Sequence, residues 1–358
     1  MLNFYKGKKV LITGATGFKG SWLCLWLSML GAHVIGTGLK KNSQKLFYQL
    51  GLEKKIKVYY LDVRENQRLK KIIFKHKPSI IFHFAAQPLV RESYKYPIQT
   101  YEINIMGTIN ILDIVYRAGF VKSLVCVTTD KVYENKNWVW GYRENDSLGG
   151  DDPYSASKAA AEMAINSYKN SFFVNNKKIG VASVRAGNVI GGGDMSKDRI
   201  IPDCVRNLLK KKNIIIRNPK ANRPWQHVLE PLYGYLILGE KLYKNPKDYS
   251  DSFNFGPLTT SILSVKSLVK SIIKIWGYGK LEIKIKKNQP KEQQILQLNL
   301  DKSMQKLMWK PIFSLEETIQ ATIYWYKEVF LNRKSPLKIT AEQIDKYQKL
   351  INKKNSVL

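Results

Sequence analysis

The sequence predicts an α/β fold, a doubly wound parallel Rossmann sheet followed by a smaller mixed α/β lobe on its C-terminal side. Short apolar runs rich in β-branched residues alternate with helical patterns through the first half of the chain. A glycine-rich turn at 13–20 joins the first run to the first helical pattern. Because buried strands separated by helices form right-handed βαβ units, we expect the strands to be parallel.

The elements of the first half are bounded by turn residues or by a change of periodicity. Pro153 favours the first turn of a helix, and a polar, aromatic loop precedes it. The predicted strands cover 8–14, 33–38, 56–62, 79–85, 124–129 and 179–185. The predicted helices cover 18–31, about 98–118 and a segment that begins at Pro153.

Three units are predicted along the chain. Residues 1–186 form the Rossmann domain. From Gly187 onward the pattern loosens into glycines, prolines and mixed elements. Residues 187–334 therefore form a substrate-binding lobe, whose strands can cross back to the first domain, and residues 335–358 form a helical tail.

The tail is predicted to be an amphipathic helix. Thr340 and Gln343 have the spacing of a helix capping box. Ile344, Tyr347 and Ile351 form one apolar stripe along that helix. We expect the helix to dock on the body of the protein or on a partner subunit.

The net charge of +31 raises the question of a nucleic-acid partner. Of the 59 basic residues only 11 are arginines, and the lysines are spread along the whole chain. Dedicated nucleic-acid surfaces depend more on arginine, which makes bidentate contacts. We expect no nucleic-acid partner, although the positive field would attract a small anionic ligand.

The sequence also predicts a cytoplasmic protein. The N-terminus has no secretory pattern, and glycine, alanine and histidine at 31–33 divide the most apolar stretch, 21–39, into a helix and a strand. We therefore expect no membrane span. Cys24, Cys126 and Cys204 lie far apart without metal-ligand spacing, which predicts buried thiols in a reducing compartment and no metal site.

The glycine-rich turn is predicted to bind the pyrophosphate of a dinucleotide. Gly14 permits the tight turn, Gly17 lets backbone approach the pyrophosphate, and Gly20 permits close packing of helix on strand. The N-terminus of the following helix supplies free N–H groups and the positive end of its dipole. The predicted cofactor contacts in this segment are Gly14, Thr16, Gly17, Phe18, Lys19 and Gly20.

The residues alone leave the choice between NAD and NADP open. An acidic residue usually ends the second strand and binds the ribose 2′-hydroxyl, but here 37–41 reads TGLKK, and a lysine could meet a 2′-phosphate. Asp62, after the third strand, is a predicted adenine contact, with a strand-end turn as the alternative, and Val63 is a predicted cofactor contact. Further contacts near the cofactor ribose are predicted at Ala85, Ala86 and Gln87.

Two groups of residues can carry proton transfer. Tyr154 and Lys158 lie four apart, hence on one face of a helix, where the ammonium would lower the pKa of the phenol and make it a base. Thr129, Asp130 and Lys131 stand at the carboxyl end of a strand, where ligands bind in such sheets. They could hold a hydroxyl, protonate a leaving group and remove a proton, or they could form a solvated turn.

Taken together, TGATGFKG, HFAAQ, Asn104 and YSASK resemble the extended short-chain dehydrogenases that act on nucleotide sugars. The longer motifs AAQPLVRESY, TTDKVYENKNWVWGYRE, SVRAGNVIGGGD and RNPKANRPWQHVLEPLYGY resemble, more narrowly, the CDP-glucose 4,6-dehydratases. The likeness runs from about residue 5 to 330 and implies tightly retained NAD. Departures are mild: Ala15 stands where histidine is common, Ala156 where asparagine is common, and Thr129 replaces a serine.

The resemblance also implies roles for single residues. Thr129, Asp130 and Lys131 correspond to the dehydratase trio, Tyr154 and Lys158 correspond to the redox pair, and Asn104 belongs to the cofactor site. Arg217 and His227 match more weakly and suit a structural role equally well. The implied substrate contacts are Arg91, Asn188, Arg199, Arg217, Arg223 and His227.

The implied reaction converts CDP-D-glucose into CDP-4-dehydro-6-deoxy-D-glucose and water by internal hydride transfer, with no net redox change. The resemblance further implies a homodimer or homotetramer that supplies a deoxysugar for a surface polysaccharide such as a lipopolysaccharide O-antigen. A 4,6-dehydratase or 4-epimerase for another NDP-hexose is the first alternative. A basic, non-catalytic nucleotide- or RNA-binding protein is the second, which the complete set of proton-transfer residues disfavours.

Overall fold

The computed structural model describes residues 2–40, 45–174, 178–258, 262–284 and 296–355. The strands in these ranges are β1 (Lys9–Thr13), β2 (His33–Gly38), β3 (Lys57–Tyr60), β4 (Ile80–His83), β5 (Ser123–Val127), β6 (Gly180–Ala186), β7 (Val189–Ile190), β8 (Ile214–Ile216), β9 (Asn222–Pro224), β10 (Gln226–His227), β11 (Ser252–Phe255), β12 (Ile262–Ser264) and β13 (Leu281–Ile283).

Seven strands form one parallel sheet in the order β11-β6-β5-β4-β1-β2-β3. Val10 of β1 pairs with Val34 on one side and with Ile80 on the other, so the strand order reverses across β1. This arrangement confirms the predicted doubly wound α/β fold. Ligands bind in such sheets at the carboxyl ends of the strands beside the reversal. The late strand β11 crosses back from the second half of the chain to the edge of this sheet.

Helices cover both faces of the sheet, as parallel strands require. They are α1 (Phe18–Met29), α2 (Leu46–Gln49), α3 (Leu52–Lys55), α4 (Asn66–His76), α5 (Val90–Lys95), α6 (Pro97–Tyr101), α7 (Gly107–Ala118), α8 (Pro153–Tyr168), α9 (Ile200–Leu209), α10 (Leu229–Lys244), α11 (Pro246–Tyr249), α12 (Val265–Trp276), α13 (Asp301–Leu307), α14 (Leu315–Phe330) and α15 (Pro336–Asn355).

The first helix is apolar around most of its circumference, and such helices are buried. Trp22 and Trp26 are completely buried in the larger of the two main cores. The indole of Trp22 donates to the carbonyl of Gly192, a residue of the second half of the chain. The helix that carries the glycine turn is therefore fixed between the sheet and the lobe.

The predicted helix over 98–118 is interrupted. It consists of α6, a π-helical segment at Glu102–Met106 and α7. Single π-turns inside helices frequently occur at functional sites. Here the segment carries Asn104, whose side chain is fully buried.

The tail forms α15, but the predicted capping box is wrong. The helix begins at Pro336, so Thr340 lies within it, and its hydroxyl donates to the Pro336 carbonyl and accepts from the Trp325 indole at 2.8 Å. A proline with its fixed φ suits the first turn better than the polar pair four residues later. The apolar stripe of Ile344, Tyr347 and Ile351 is buried against the body.

In the described ranges, the model contains no helix that is both long enough and apolar enough to cross a membrane. All three cysteines are buried and carry free thiols.

Candidate active site

The glycine turn adopts a geometry that side chains would block. Gly14 has a left-handed φ of +69°, and a Cβ there would lie 2.8 Å from the backbone nitrogen of Ala85. A Cβ on Gly20 would collide with the carbonyl oxygen of Gly14. Both glycines are therefore needed for close packing of the turn against β4 and α1. Gly17 is the N-cap of α1, and no side chain of the described residues caps this helix.

These features fit a dinucleotide cofactor. An uncapped helix N-terminus leaves backbone N–H groups available to a pyrophosphate, and the dipole favours its negative charge. At the end of β2, the Thr16 hydroxyl donates to the carbonyl of Leu39 at 3.0 Å, and a Cβ on Gly38 would lie 2.6 Å from the same hydroxyl. No carboxylate lies in 37–40, and Lys41 falls outside the described residues.

A buried hydrogen-bond network, which the sequence did not reveal, joins the end of β1 to the end of β4 and the residues after it. Thr13 Oγ1 accepts from the backbone N–H groups of Phe84 and Ala85, both at 3.1 Å, and lies 2.7 Å from His83 Nδ1. The other ring nitrogen of His83 lies 3.2 Å from Thr108 Oγ1. Burial lowers the pKa of His83 to about 3, so the ring is neutral and purely positional.

Asn104 joins the loop after β4 to α8. Its Oδ1 accepts from the backbone N–H of Gln87 at 2.9 Å, and its Nδ2 donates to the Gln87 carbonyl at 3.2 Å. The same Nδ2 donates to Ser157 Oγ at 2.9 Å. Ser157 lies between Tyr154 and Lys158, so Asn104 fixes the predicted cofactor loop relative to the predicted redox pair.

Thr129 connects Tyr154 with Asp130. Its hydroxyl donates to Asp130 Oδ1 at 2.9 Å, and the same hydroxyl lowers the pKa of the Tyr154 phenol. A hydroxyl has one proton to donate. The hydroxyl can therefore donate either to Asp130 or to a Tyr154 phenolate, and donation to the phenolate favours the deprotonated tyrosine. Thr129, Asp130 and Tyr154, three of the five predicted proton-transfer residues, therefore lie at one site.

Burial dominates the electrostatics of Tyr154, and the predicted effect of Lys158 on its phenol stays a prediction. Burial raises the pKa of its phenol to about 12, while the Thr129 hydrogen bond and the charge of Arg199 lower it. The ammonium of Lys158 donates to the carbonyl of Val127 at 3.2 Å. Burial lowers the pKa of Lys158 itself to about 8.

Lys19 lies at the same site as the proton-transfer residues, although the sequence suggested only a cofactor contact. Burial, and then the positive charge of Arg199, lower the pKa of its ammonium to about 7, whereas Asp130 raises it. Lys131 is partly buried, and its charge lowers the pKa of Asp130. Burial has the larger effect, so the pKa of Asp130 is raised overall, as a proton donor requires.

Glu162 and Arg185 form a buried ion pair behind this site, which the sequence did not reveal. Arg185 Nη2 donates to Glu162 Oε2 at 2.9 Å, and both side chains are almost fully buried. Glu162 also accepts from the hydroxyls of Thr128 at 2.5 Å and Ser183 at 2.7 Å. Glu162 is one turn beyond Lys158 on α8, and this spacing was the only feature of the sequence that could have indicated that Glu162 lies near the site.

The predicted arginines divide into two groups. Arg199 donates to Asp194 at 2.8 Å, and the charges of Arg199 and Arg223 act on Tyr154 and Asp130, respectively. These two arginines therefore belong with the predicted proton-transfer residues.

Arg91 and Arg217 form the second group, which meets at Asp198. Arg91 Nη1 lies 3.0 Å from Asp198 Oδ1, and Arg217 Nη1 lies 3.8 Å from the same oxygen. Asn188 has a left-handed φ of +51° between β6 and β7, and its carbonyl accepts from the Gln226 N–H.

His227 does not lie in the cleft. It is completely buried, it packs against the rings of Trp22 and Phe313, and its Nδ1 accepts from the Leu229 N–H at 3.3 Å. Burial lowers its pKa to about 3. Strand pairing of β10 with β7 directs this residue into the core, which favours the structural alternative, and the substrate contact at His227 stays a prediction.

Asp62 and Val63 have other partners in this structure. The Asp62 carboxylate accepts from the backbone N–H and from Nε of Arg64, at 2.9 and 3.0 Å. Val63 packs against Gly107, and a Cβ added to Gly107 would lie 2.5 Å from Val63 Cγ1. Their proposed contacts with the adenine stay predictions.

Two cavities share part of one wall, and the smaller of them reaches Asp130. A cavity of about 150 Å³ is lined by Val139, Asn222, Pro224, Ile262, Leu296 and Gln297. A second, very small cavity shares Pro224 and Gln297 with it and has Asp130 in its wall. The larger cavity is mainly apolar with amide groups at its edge, which suits a base or sugar ring.

Comparisons with known proteins agree with this geometry. A relative from Salmonella typhimurium, a CDP-glucose 4,6-dehydratase, is 44% identical over 330 residues, which are 91% of this chain and 92% of that protein. A dTDP-D-glucose 4,6-dehydratase from Dictyostelium discoideum is 33% identical over 238 residues, which are 60% of this chain and 51% of that protein.

Solved structures share the fold. A UDP-glucose 4-epimerase from Thermotoga maritima with UDP-glucose has a TM-score of 0.79 at 23% identity, with 90% of this chain and 99% of that chain covered. A dTDP-glucose 4,6-dehydratase from Bacillus anthracis in complex with NAD has a TM-score of 0.75 at 22% identity, with 91% and 98% covered.

The family model described as GDP-mannose 4,6 dehydratase matches residues 11–322, which include the glycine turn, the Thr129–Asp130 pair and the Tyr154–Lys158 pair. The chain therefore belongs to the GDP-mannose 4,6 dehydratase family of nucleotide-sugar enzymes.

Proposed function

We propose that this protein is an NAD-dependent CDP-glucose 4,6-dehydratase, a hydro-lyase. The observation that carries the proposal is the hydrogen bond of Thr129 to Asp130 together with the effects of both residues on the pKa of Tyr154, which place a proton donor near a redox tyrosine. The 44% identity with the Salmonella typhimurium enzyme supports CDP-glucose as the substrate.

The uncapped N-terminus of α1 and the packed turn at Gly14 and Gly20 would hold the cofactor pyrophosphate. Bound NAD supplies a hydride acceptor at C4 of the sugar and a hydride donor at C6. Tyr154 takes the proton of the 4-hydroxyl, with Thr129 orienting it. Lys158 and Asn104 hold the helix and the loop on either side of that tyrosine.

The resulting 4-ketone acidifies the proton on C5. In our proposal Lys131 removes that proton, and its electron pair forms a C5–C6 double bond as the C6–O bond breaks. Asp130 gives its proton to the departing oxygen, which leaves as water. C6 then takes up a hydride and C5 takes back a proton from Lys131, which gives the 4-keto-6-deoxy sugar. The raised pKa of Asp130 keeps this proton available. Arg91, Asn188, Arg199, Arg217 and Arg223 are the proposed contacts for the diphosphate and nucleoside.

The experiment that tests the proposal is incubation with CDP-glucose, dTDP-glucose, UDP-glucose and GDP-mannose, followed by product mass. We expect CDP-glucose to lose one water without added cofactor and the others to react far more slowly. Preference for another sugar nucleotide would contradict the substrate but keep the reaction class. An unchanged mass with inverted C4 would establish a 4-epimerase instead.

We further propose a homo-oligomer, at least a homodimer, with α6, α8 and the π-turns in the interface. Ile98 is 75% exposed and Met163 is 56% exposed, and both lie on helices of the Rossmann domain that pack together. Met106 and Phe172 are exposed nearby. Light scattering on Met163→Glu should show dissociation relative to the wild type; an unchanged mass would contradict this interface.

We also infer a cytoplasmic enzyme in the supply of a deoxysugar for a surface polysaccharide, such as an O-antigen of lipopolysaccharide. The three buried free thiols suit a reducing compartment. Loss of 6-deoxysugar from the polysaccharide of a deletion strain would test the pathway, and retention of that sugar would contradict it.

A further inference from the structure

Gln226 has a buried amide that lies beside Asp130, the proposed acid. The oxygen of this amide has no hydrogen-bond partner among the described residues. Its side chain lies at the start of β10 and is only 1% exposed. Its Nε2 donates to the carbonyls of Gly187 at 2.9 Å and Phe255 at 3.0 Å. Among the described residues, none hydrogen-bonds with its Oε1.

The two carbonyls fix the orientation of the amide. A flipped amide would place Oε1 against two carbonyl oxygens, where three acceptors would meet without a proton. The oxygen is therefore held on the other side as an acceptor. A buried polar atom without a partner is costly, so such atoms in folded proteins call for a specific explanation.

The surroundings of Gln226 point to a ligand hydroxyl. Gln226 shares the wall of a small cavity with Asp130 and Gly187, and Asp130 packs so closely on Gly187 that an added Cβ would overlap its carboxylate. The cavity has a volume of about 10 Å³, which is the space of roughly one water molecule or hydroxyl group. An acceptor and an acid therefore line a space for one hydroxyl.

We propose that Gln226 Oε1 accepts a hydrogen bond from the 6-hydroxyl of the sugar and positions that group against Asp130 for departure as water. This inference rests on the proposed function, because the hydroxyl that Asp130 protonates is the one on C6. Gln226 is then a positioning and specificity residue. It transfers no proton, and it favours substrates with a hydroxyl on C6 over those without one.

The test compares CDP-glucose with CDP-6-deoxyglucose, which lacks this hydroxyl but can still be oxidised at C4. Apparent dissociation constants come from the concentration dependence of single-turnover NADH formation. The wild type should bind CDP-glucose about tenfold more tightly, the effect of one hydrogen bond to a buried acceptor. In Gln226→Leu that ratio should fall to about one, through weaker binding of CDP-glucose alone.

Gln343→Leu is the matched control. Gln343 is also a buried glutamine whose Nε2 donates to a carbonyl, that of Ala321, and whose Oε1 has no partner among the described residues. It lies on α15, so its variant should keep the tenfold ratio. If Gln226→Leu does not fold, Gln226→Met replaces it, because its unbranched side chain fits the same space.

Equal weakening of both substrates in the Gln226 variants would overturn the proposal and leave a structural role. A wild-type ratio near one would overturn it as well. Absence of any NADH formation from CDP-glucose in the wild type would instead overturn the proposed function, so the two failures are distinguishable.

Discussion

The carboxylate of Asp130 lies directly on the Cα of Gly187, and a Cβ at that position would overlap Oδ2. Gly187 has no left-handed φ, so its requirement for glycine is steric. Gly187→Ala should displace the acid and slow loss of water by about 10²–10⁴-fold, while C4 oxidation continues. NADH absorbance together with product mass checks this, and normal dehydration by the variant would contradict it.

Asp130→Asn should stall the reaction after oxidation. The amide keeps the size of the side chain but has no proton to transfer, so we expect NADH and a 4-keto hexose with water loss slowed by about 10²–10⁴-fold. Lys131→Met should stall at the same stage and also slow exchange of the C5 hydrogen with heavy water. Normal dehydration in both variants would leave 130–131 a simple turn. If Lys131→Met alone dehydrates at the normal rate, another base removes the C5 proton. The next bases to test are then Glu144, whose pKa is raised by burial, and the exposed Glu134.

Tyr154→Phe should abolish C4 oxidation, because the ring lacks the oxygen that takes the proton of the 4-hydroxyl. No NADH absorbance should appear on mixing with CDP-glucose. Tyr133→Phe is a suitable comparison for stability alone, since its hydroxyl bonds with Asn254 and Arg185 in the core. A rate within a few-fold of the wild type in Tyr154→Phe would remove this tyrosine from the mechanism.

Thr129→Val should shift the pH profile of C4 oxidation. The Thr129 hydrogen bond lowers the pKa of Tyr154, so its loss raises that pKa and decreases the fraction of phenolate at a given pH. The acid limb of the single-turnover rate should therefore move to higher pH. Thr128→Val, which removes a hydroxyl bonded to Glu162 instead, should leave the limb in place. An unshifted limb in Thr129→Val would show that this hydroxyl does not act on the phenol.

Glu230 should make stability depend on pH. Burial raises the pKa of its carboxyl from 4.5 to about 7, although the N–H groups of Ile312 and Phe313 and the hydroxyl of Tyr347 donate to it. A raised pKa means that the folded state binds the proton more tightly, so this contribution to stability is present below 4.5 and is lost as the pH rises through about 7. The free energy of unfolding should change less over that range in Glu230→Gln than in the wild type; equal slopes would contradict the prediction.

The sequence alone determined the central fold and the chemistry at its edge. The β-branched runs and the glycine turn specify parallel strands and a dinucleotide loop, because these patterns depend on local sterics and burial. The positions of Asp130 and Tyr154 at strand and helix ends followed from the same local pattern. For the same reason α8 begins at Pro153, as predicted.

Other features were decided by contacts between distant segments. Arg185 and Glu162 come together because β6 lies beside β5, and the ammonium of Lys158 donates to the carbonyl of Val127 at the end of β5. The core position of His227 depends on the pairing of β10 with β7.

Gln226 shows the same division most clearly. Its side chain is an ordinary glutamine in the sequence, and its role depends on two carbonyls that lie 39 and 29 residues away in the chain. Periodicity reports which face of an element is buried, but it contains no information about which buried polar group finds a partner. Those pairings are set by long-range packing, which only the tertiary structure determines.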